Sequence, residues 1–203
     1  MKFISDILYW ISTGLLVPVI VLLVFIFIRS LILIGGFFGQ YINVRKTNMI
    51  LQKEFNGLNT DNVEELFLHL PLRNSSLVVS YISRMRDKKD DSEELRRLVS
   101  EFEIEADKDL SLSNMLAKMG PMLGLMGTLI PMGPALVGLA SGDISSMAYN
   151  MQVAFATTVV GLFAAGIGFV TYQVKKRWYM RDMVNLEYLE GLLNKKNRSY
   201  EKR

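Results

Sequence analysis

The sequence contains no cysteine and a single histidine, His69. Disulfide, iron–sulfur and thiolate chemistry are therefore excluded, and His69 has no second ligand nearby with which to hold a metal. Net charge is only +3; the Lys and Arg residues flanking apolar segments account for it, so nothing points to nucleic acid. Also missing are a nucleophile beside a base and a glycine-rich phosphate loop after a strand, which leaves no sequence sign of an enzyme. The acids between Asp87 and Asp109 alternate with Lys and Arg, the pattern of a solvated helix surface and not of a catalytic pair. No internal repeat and no low-complexity segment is present.

Most telling is the lack of charge over long stretches. Residues 7–28, 119–142 and 144–174 contain no Asp, Glu, Lys, Arg or His. Each run exceeds the roughly 20 residues that cross a hydrocarbon layer of ~30 Å. The expected fold is an all-α membrane protein with three transmembrane helices. The first run is too long and too bulky for a signal-peptide core, so it is expected to remain as a membrane helix.

What charge there is falls almost entirely within residues 40–118 or after Val174, and the loop "ASGDISS" between the second and third runs carries only Asp143. The tail opens with "KKRWYMR". The positive-inside rule then places the C-terminus in the cytoplasm and, with three spans, the N-terminus outside. The layout expected is a first span within residues 1–39, a helical cytoplasmic loop over 40–114, a membrane hairpin over 115–174 and a cytoplasmic helix and tail over 175–203.

Within the loop, helices are expected over 41–55, 61–70 (Asp61 and Glu64 set like a capping box, Pro71 ending the helix) and 75–88. Leu95, Leu98, Val99, Phe102 and Ala106 recur at helical spacing with no Gly or Pro before Gly120, so the second span extends a helix that begins in the cytoplasm. Val174, Trp178, Arg181, Val184, Tyr188 and Leu192 predict a matching extension of the third. Trp178 and Tyr179 fall at the membrane interface beside Lys175, Lys176 and Arg177, which can snorkel.

The polar residues left inside the apolar runs are hydroxyls and amides: Thr128 in the second span, and Asn150, Gln152, Thr157 and Thr158 in the third. Small residues at four-residue spacing (Gly120, Gly124 and Thr128; Thr157, Gly161 and Ala165) suit close helix packing, and a membrane Thr commonly bonds back to its own helix. Pro121, Pro131 and Pro134 each free a backbone carbonyl, which lipid does not tolerate, so this helix should face protein or a water-filled space. Arg29 either snorkels to headgroups, pairs with a cytoplasmic acid or acts as a gate. Asp143 is a solvated turn residue or a point where ions come in. From the residues alone the second span is an oligomeric or pore-lining helix.

The segments "GPMLGLMGTLIPMGPAL" (120–136) and "AFATTVVGLFAAGIGF" (154–169) resemble the MotA/TolQ/ExbB family of ion-driven membrane motors: the first has a Pro at its cytoplasmic end and a "GLxGT" pattern, the second an "ATxxGLxAA" pattern. The order of elements is similar to the ExbB and TolQ branch. The resemblance implies a homopentamer, a stator around a single-span ExbD/TolR/MotB-like partner that carries the membrane aspartate, working in the cytoplasmic (inner) membrane and powering mechanical work or protein transport. It implies pore-facing roles for Thr128 and Thr158, structural roles for Pro121, Gly124 and Gly161 at the pore helix, and H+ as the transported ion with Na+ as the alternative; no other cofactor is implied. ExbB-like members often carry a glutamate near the start of the third-span motif. Here the region reads "NMQVAF", with neutral Asn150, Gln152 and Val153. The competing reading is a non-conducting oligomeric scaffold, such as a secretion-system platform protein.

Overall fold

The computed structural model describes residues 2–55, 57–60, 62–69 and 76–201. The first apolar run forms α1 (Lys2–Gly14) and α2 (Leu16–Phe55), parted only at Leu15. Pro18 explains the break, since it has no N–H for the Gly14 carbonyl and its ring crowds that group. The Leu15 N–H divides itself between the carbonyls of Ile11 and Ser12, 3.1 Å each. Past Pro18 nothing interrupts the ladder, and α2 runs for 40 residues. The helix expected separately over 41–55 is thus the far end of α2; Gly35, Gly36 and Gly39 lower helix propensity by ~1 kcal/mol each without removing a hydrogen bond.

The short helices α3 (Val63–His69) and α4 (Leu77–Asp87) are followed by α5 (Ser92–Ala140) and α6 (Ile144–Glu201). Asp61, Pro71 and Ser75, expected to bound α3 and α4, lie outside the described residues. Glu64 does not turn back on its own helix: its Oε1 accepts from Lys89 at 3.0 Å and Lys196 at 3.1 Å. Asp91 caps α5, its Oδ1 accepting from the N–H groups of Glu93 (3.0 Å) and Glu94 (3.1 Å).

A tight turn joins α5 to α6. Gly142, at φ 78°, gives its N–H to Leu139 O at 3.2 Å, while Asp143 N–H reaches Gly138 O at 2.8 Å. These two bonds are the Schellman pair that ends a helix. Asp143 then starts the next one, its Oδ1 accepting from Ser146 N–H at 3.0 Å. Asp143 is therefore a turn and cap residue.

Three helical stretches, Ile7–Phe55, Ser92–Ala140 and Ile144–Arg198, are long and apolar enough to cross a membrane. Contacts divide the chain into two units, Met1–Gly35 with Leu112–Tyr172, and Gly36–Ser111 with Gln173–Arg203. The first unit has a narrow core: Val19, Leu23 and Ile26 of α2 meet Leu116 and Leu123 of α5 and Ala164 of α6. Much of its remaining apolar surface is exposed, including Phe25 and Ile28, Leu125 and Leu129, and Phe155 and Val159. Such faces suit lipid or further protein chains and not water.

The second unit buries α3 and α4 against α5 and α6 around Ile82, Met85, Leu95, Phe102, Leu186 and Leu189. The α5 stripe is the one its periodicity predicts: Leu95, Leu98, Val99, Phe102 and Ala106 are all buried. On α6 the expected stripe is displaced. Val184 and Tyr188 are exposed, whereas Lys175, Asp182, Leu186, Leu189 and Leu193 are buried. A lysine and an aspartate on the inward face masked its apolar period and shifted the reading onto the neighbouring face.

Candidate functional site

In the first unit α5 and α6 meet backbone to backbone. A Cβ at Gly120 would lie 2.6 Å from Gly161 O, and one at Gly161 would lie 2.6 Å from Gly120 O and 2.9 Å from Gly124 Cα. Only glycine fits at either position. At Gly127 a Cβ would come within 2.6 Å of Thr157 Cβ and Oγ1, and at Gly168 within 2.6 Å of Ala117 N. Gly124 is less tightly enclosed, with Gly161 Cα and Thr158 Cα each 3.6 Å from an added Cβ. The seam thus matches Gly120, Gly124 and Gly127 to Thr157 and Gly161, with no room for a Cβ at Gly120, Gly127 or Gly161.

The hydroxyl at the centre of this contact is Thr157, which is buried and divides its proton between Val153 O (3.0 Å) and Ala154 O (2.9 Å). Thr128 and Thr158 flank the seam, each half-buried. Thr128 donates to Leu125 O at 2.7 Å and Thr158 to Ala154 O at 3.1 Å. Their protons are bound within their own helices, and the oxygens retain lone pairs that can accept from a water or an incoming acid. Thr128 stands one turn beyond Gly124, the residue that meets Thr158 Cα.

Pro121 is exposed and Pro131 buried, both inside an unbroken α5. With Pro134 they leave the carbonyls of Ala117, Gly127 and Ile130 without their helical donors. Asn150 gives its amide to Ser146 O at 2.8 Å, and Gln152 is exposed. Arg29 is exposed with its guanidinium 5.6 Å from the Phe25 ring centroid. His69 ends α3, its side chain lying outside the described residues. Among the described residues no three of His, Cys, Asp and Glu are grouped to hold a metal.

The second unit holds a polar cluster that the sequence did not announce. Lys175 is 5% exposed and its Nζ donates to Asp109 Oδ2 at 2.9 Å; the Tyr179 hydroxyl donates to the same oxygen at 2.6 Å. The Gln40 side chain joins them. Burial alone would raise Asp109, but the hydrogen bonds from Tyr179 and Lys175 outweigh it and hold the carboxyl below its ordinary range. Burial, then the bond to Asp109, pushes the Tyr179 phenol up. Asp109, its side chain 43% exposed, is thus a surface acid held in a specific network, and Lys175 is paired inside the unit. Both partners sit on different helices far apart in the chain, so no local spacing signals them.

Three apolar helices, two of them packed along a glycine seam with no Asp, Glu, Lys, Arg or His in their uncharged runs, define an integral membrane protein built for helix association. Residues 59–187 match the family model described as the MotA/TolQ/ExbB proton channel family. The chain belongs to that family. The match takes in α3, α4, all of α5 and α6 as far as Glu187. Comparison with curated proteins finds no match.

Proposed function

We propose that the chain is the wall subunit of an ion-driven motor, conducting protons, with sodium as the alternative ion, alongside a single-span ExbD/TolR/MotB-like protein that supplies the membrane aspartate. The observation that carries this reading is the family match across the α5–α6 hairpin, whose apolar runs hold hydroxyls and no acid of their own. A charged carboxylate is costly in lipid. The partner's aspartate would therefore be neutralised by an arriving ion and would meet the acceptor oxygens of Thr128 and Thr158, or waters on them, as it passes the wall. Repetition around a pentamer facing a dimer mismatches the two symmetries, so each ion drives a step of rotation. The charge pattern favours an outside N-terminus and an inside C-terminus in the cytoplasmic membrane.

The internal bonding of all three threonines also favours a second reading, a non-conducting scaffold, because a Thr that only packs bonds in this way. Ion flux separates the two. In liposomes holding this chain and its single-span partner, Thr128→Val and Thr158→Val are each expected to cut flux about fivefold or more, the loss of roughly one hydrogen bond. Assembly, counted by native mass spectrometry, stays intact. Flux unchanged in both variants removes these threonines from the pathway, and no flux in the native assembly leaves the scaffold.

A further inference from the structure

The second unit holds a half-open cavity of about 560 Å³, of mixed polar and apolar lining, whose walls include Gly36, Gly39, Gln40, Glu105, Trp178 and Asp182. The ion pathway does not use it. Asp182 is 4% exposed and its Oδ1 has no hydrogen-bond partner. Glu105 accepts from the neutral Tyr81 hydroxyl at 2.8 Å, and Lys175, the one buried cation among the described residues, is taken by Asp109. Acid charge therefore exceeds base at this wall, and a buried carboxylate without a cation is costly.

Shape points the same way. A Cβ at Gly36 or Gly39 would meet nothing within 4 Å, so packing does not require these glycines. Each lowers helix propensity by ~1 kcal/mol, and what they provide is open space beside the acids. Among the described residues no three of His, Cys, Asp and Glu are grouped closely enough to hold a metal ion. Trp178, held by stacking on Phe37 at 5.7 Å and 5°, gives the cavity an aromatic wall, against which an ammonium and its alkyl chain can both rest.

We propose that this cavity binds a small organic ammonium, a primary alkylamine or short diamine, with Asp182 as its counter-ion and Trp178 as its aromatic wall. Burial pushes the Asp182 carboxyl up to about 7, against a weaker pull from Arg181. Among the described residues the other charged or titratable groups facing the site are Glu105 and Asp109 of α5, Lys175 and Tyr179 of α6, and Tyr81 of α4, which donates to Glu105; α2 brings neutral Gln40 and Asn43, and Ser76 precedes α4. An alkylammonium keeps its proton across this range. Binding thus requires ionised Asp182, displaces its proton and weakens as pH falls through 7.

The test uses the full chain in nanodiscs with Trp10→Phe, which leaves Trp178 as its one tryptophan. Titration with 1,4-diaminobutane at pH 8 should change Trp178 fluorescence saturably. Affinity should drop about tenfold at pH 6, and by about tenfold or more in Asp182→Asn and Gly39→Leu, with folding checked by circular dichroism. No saturation by about 10 mM diamine, an equal response to NaCl or KCl at matched ionic strength, or unchanged affinity in folded Asp182→Asn would overturn the proposal. If either variant fails to fold, the pH and salt series on the parent chain decide. The readout is binding and not flux, so its outcome is independent of ion conduction.

Discussion

Gly161 and Gly124 lie on the same seam yet should respond oppositely to an added methyl. At Gly161 the new Cβ would sit 2.6 Å from a backbone oxygen of the facing helix, which cannot move without parting the two helices. Gly161→Ala should therefore cost roughly 1–3 kcal/mol through overpacking. At Gly124 the nearest atoms are 3.6 Å away, ordinary contact, and the gain in helix propensity of up to ~1 kcal/mol is free to act. Gly124→Ala should be neutral or mildly stabilising. Thermal unfolding in detergent, followed by circular dichroism, measures both; equal shifts would show that close approach does not set the value of these glycines. The four-residue spacing of small residues was legible in the sequence, but the choice of Thr157 over Thr158 was not. The two differ by one position, about 100° around the helix, and only Gly127 on the facing helix fixes which of them turns inward.

Helix starts and stops follow local chemistry, and here the sequence was most legible where one residue controls one hydrogen bond. The turn 141–143 is such a place. Gly142 adopts a left-handed φ of 78°, so Gly142→Ala should destabilise the hairpin by about 1 kcal/mol. Asp143→Ala removes the cap on Ser146 N–H and should cost a similar amount. Both are expected to lower the midpoint of the same unfolding transition, and an unshifted midpoint in both would mean that the turn forms without its cap and its glycine. The extent of α5 and its buried stripe also followed from spacing alone. That α2 continues through three glycines did not, because glycine weakens a helix without ending one. The inward face of α6 was hidden for a different reason: Lys175 and Asp182 stand where an apolar residue would mark the core, and their environment comes from α5 and α2, not from their neighbours in sequence.

At the scale of the whole molecule, the three-span plan was readable because the cost of burying charge in lipid imposes uncharged runs directly on the chain. The surroundings of those spans were not readable, since Leu125 and Phe25 are both apolar and both more than half exposed in the single chain. Backbone chemistry distinguishes them. The carbonyls freed by Pro121, Pro131 and Pro134 need donors that hydrocarbon lacks, so the α5 face should meet protein or water, while the Phe25 face of α2 can meet lipid. The absence of cysteine makes this directly measurable. Leu125→Cys should crosslink between copies of the chain in native membranes, and Phe25→Cys should take up a lipid-soluble thiol reagent without crosslinking. Crosslinking at position 25 and none at 125 would place α2 and not α5 between copies of the chain and remove the geometric ground for the proposed role of Thr128 in the ion path.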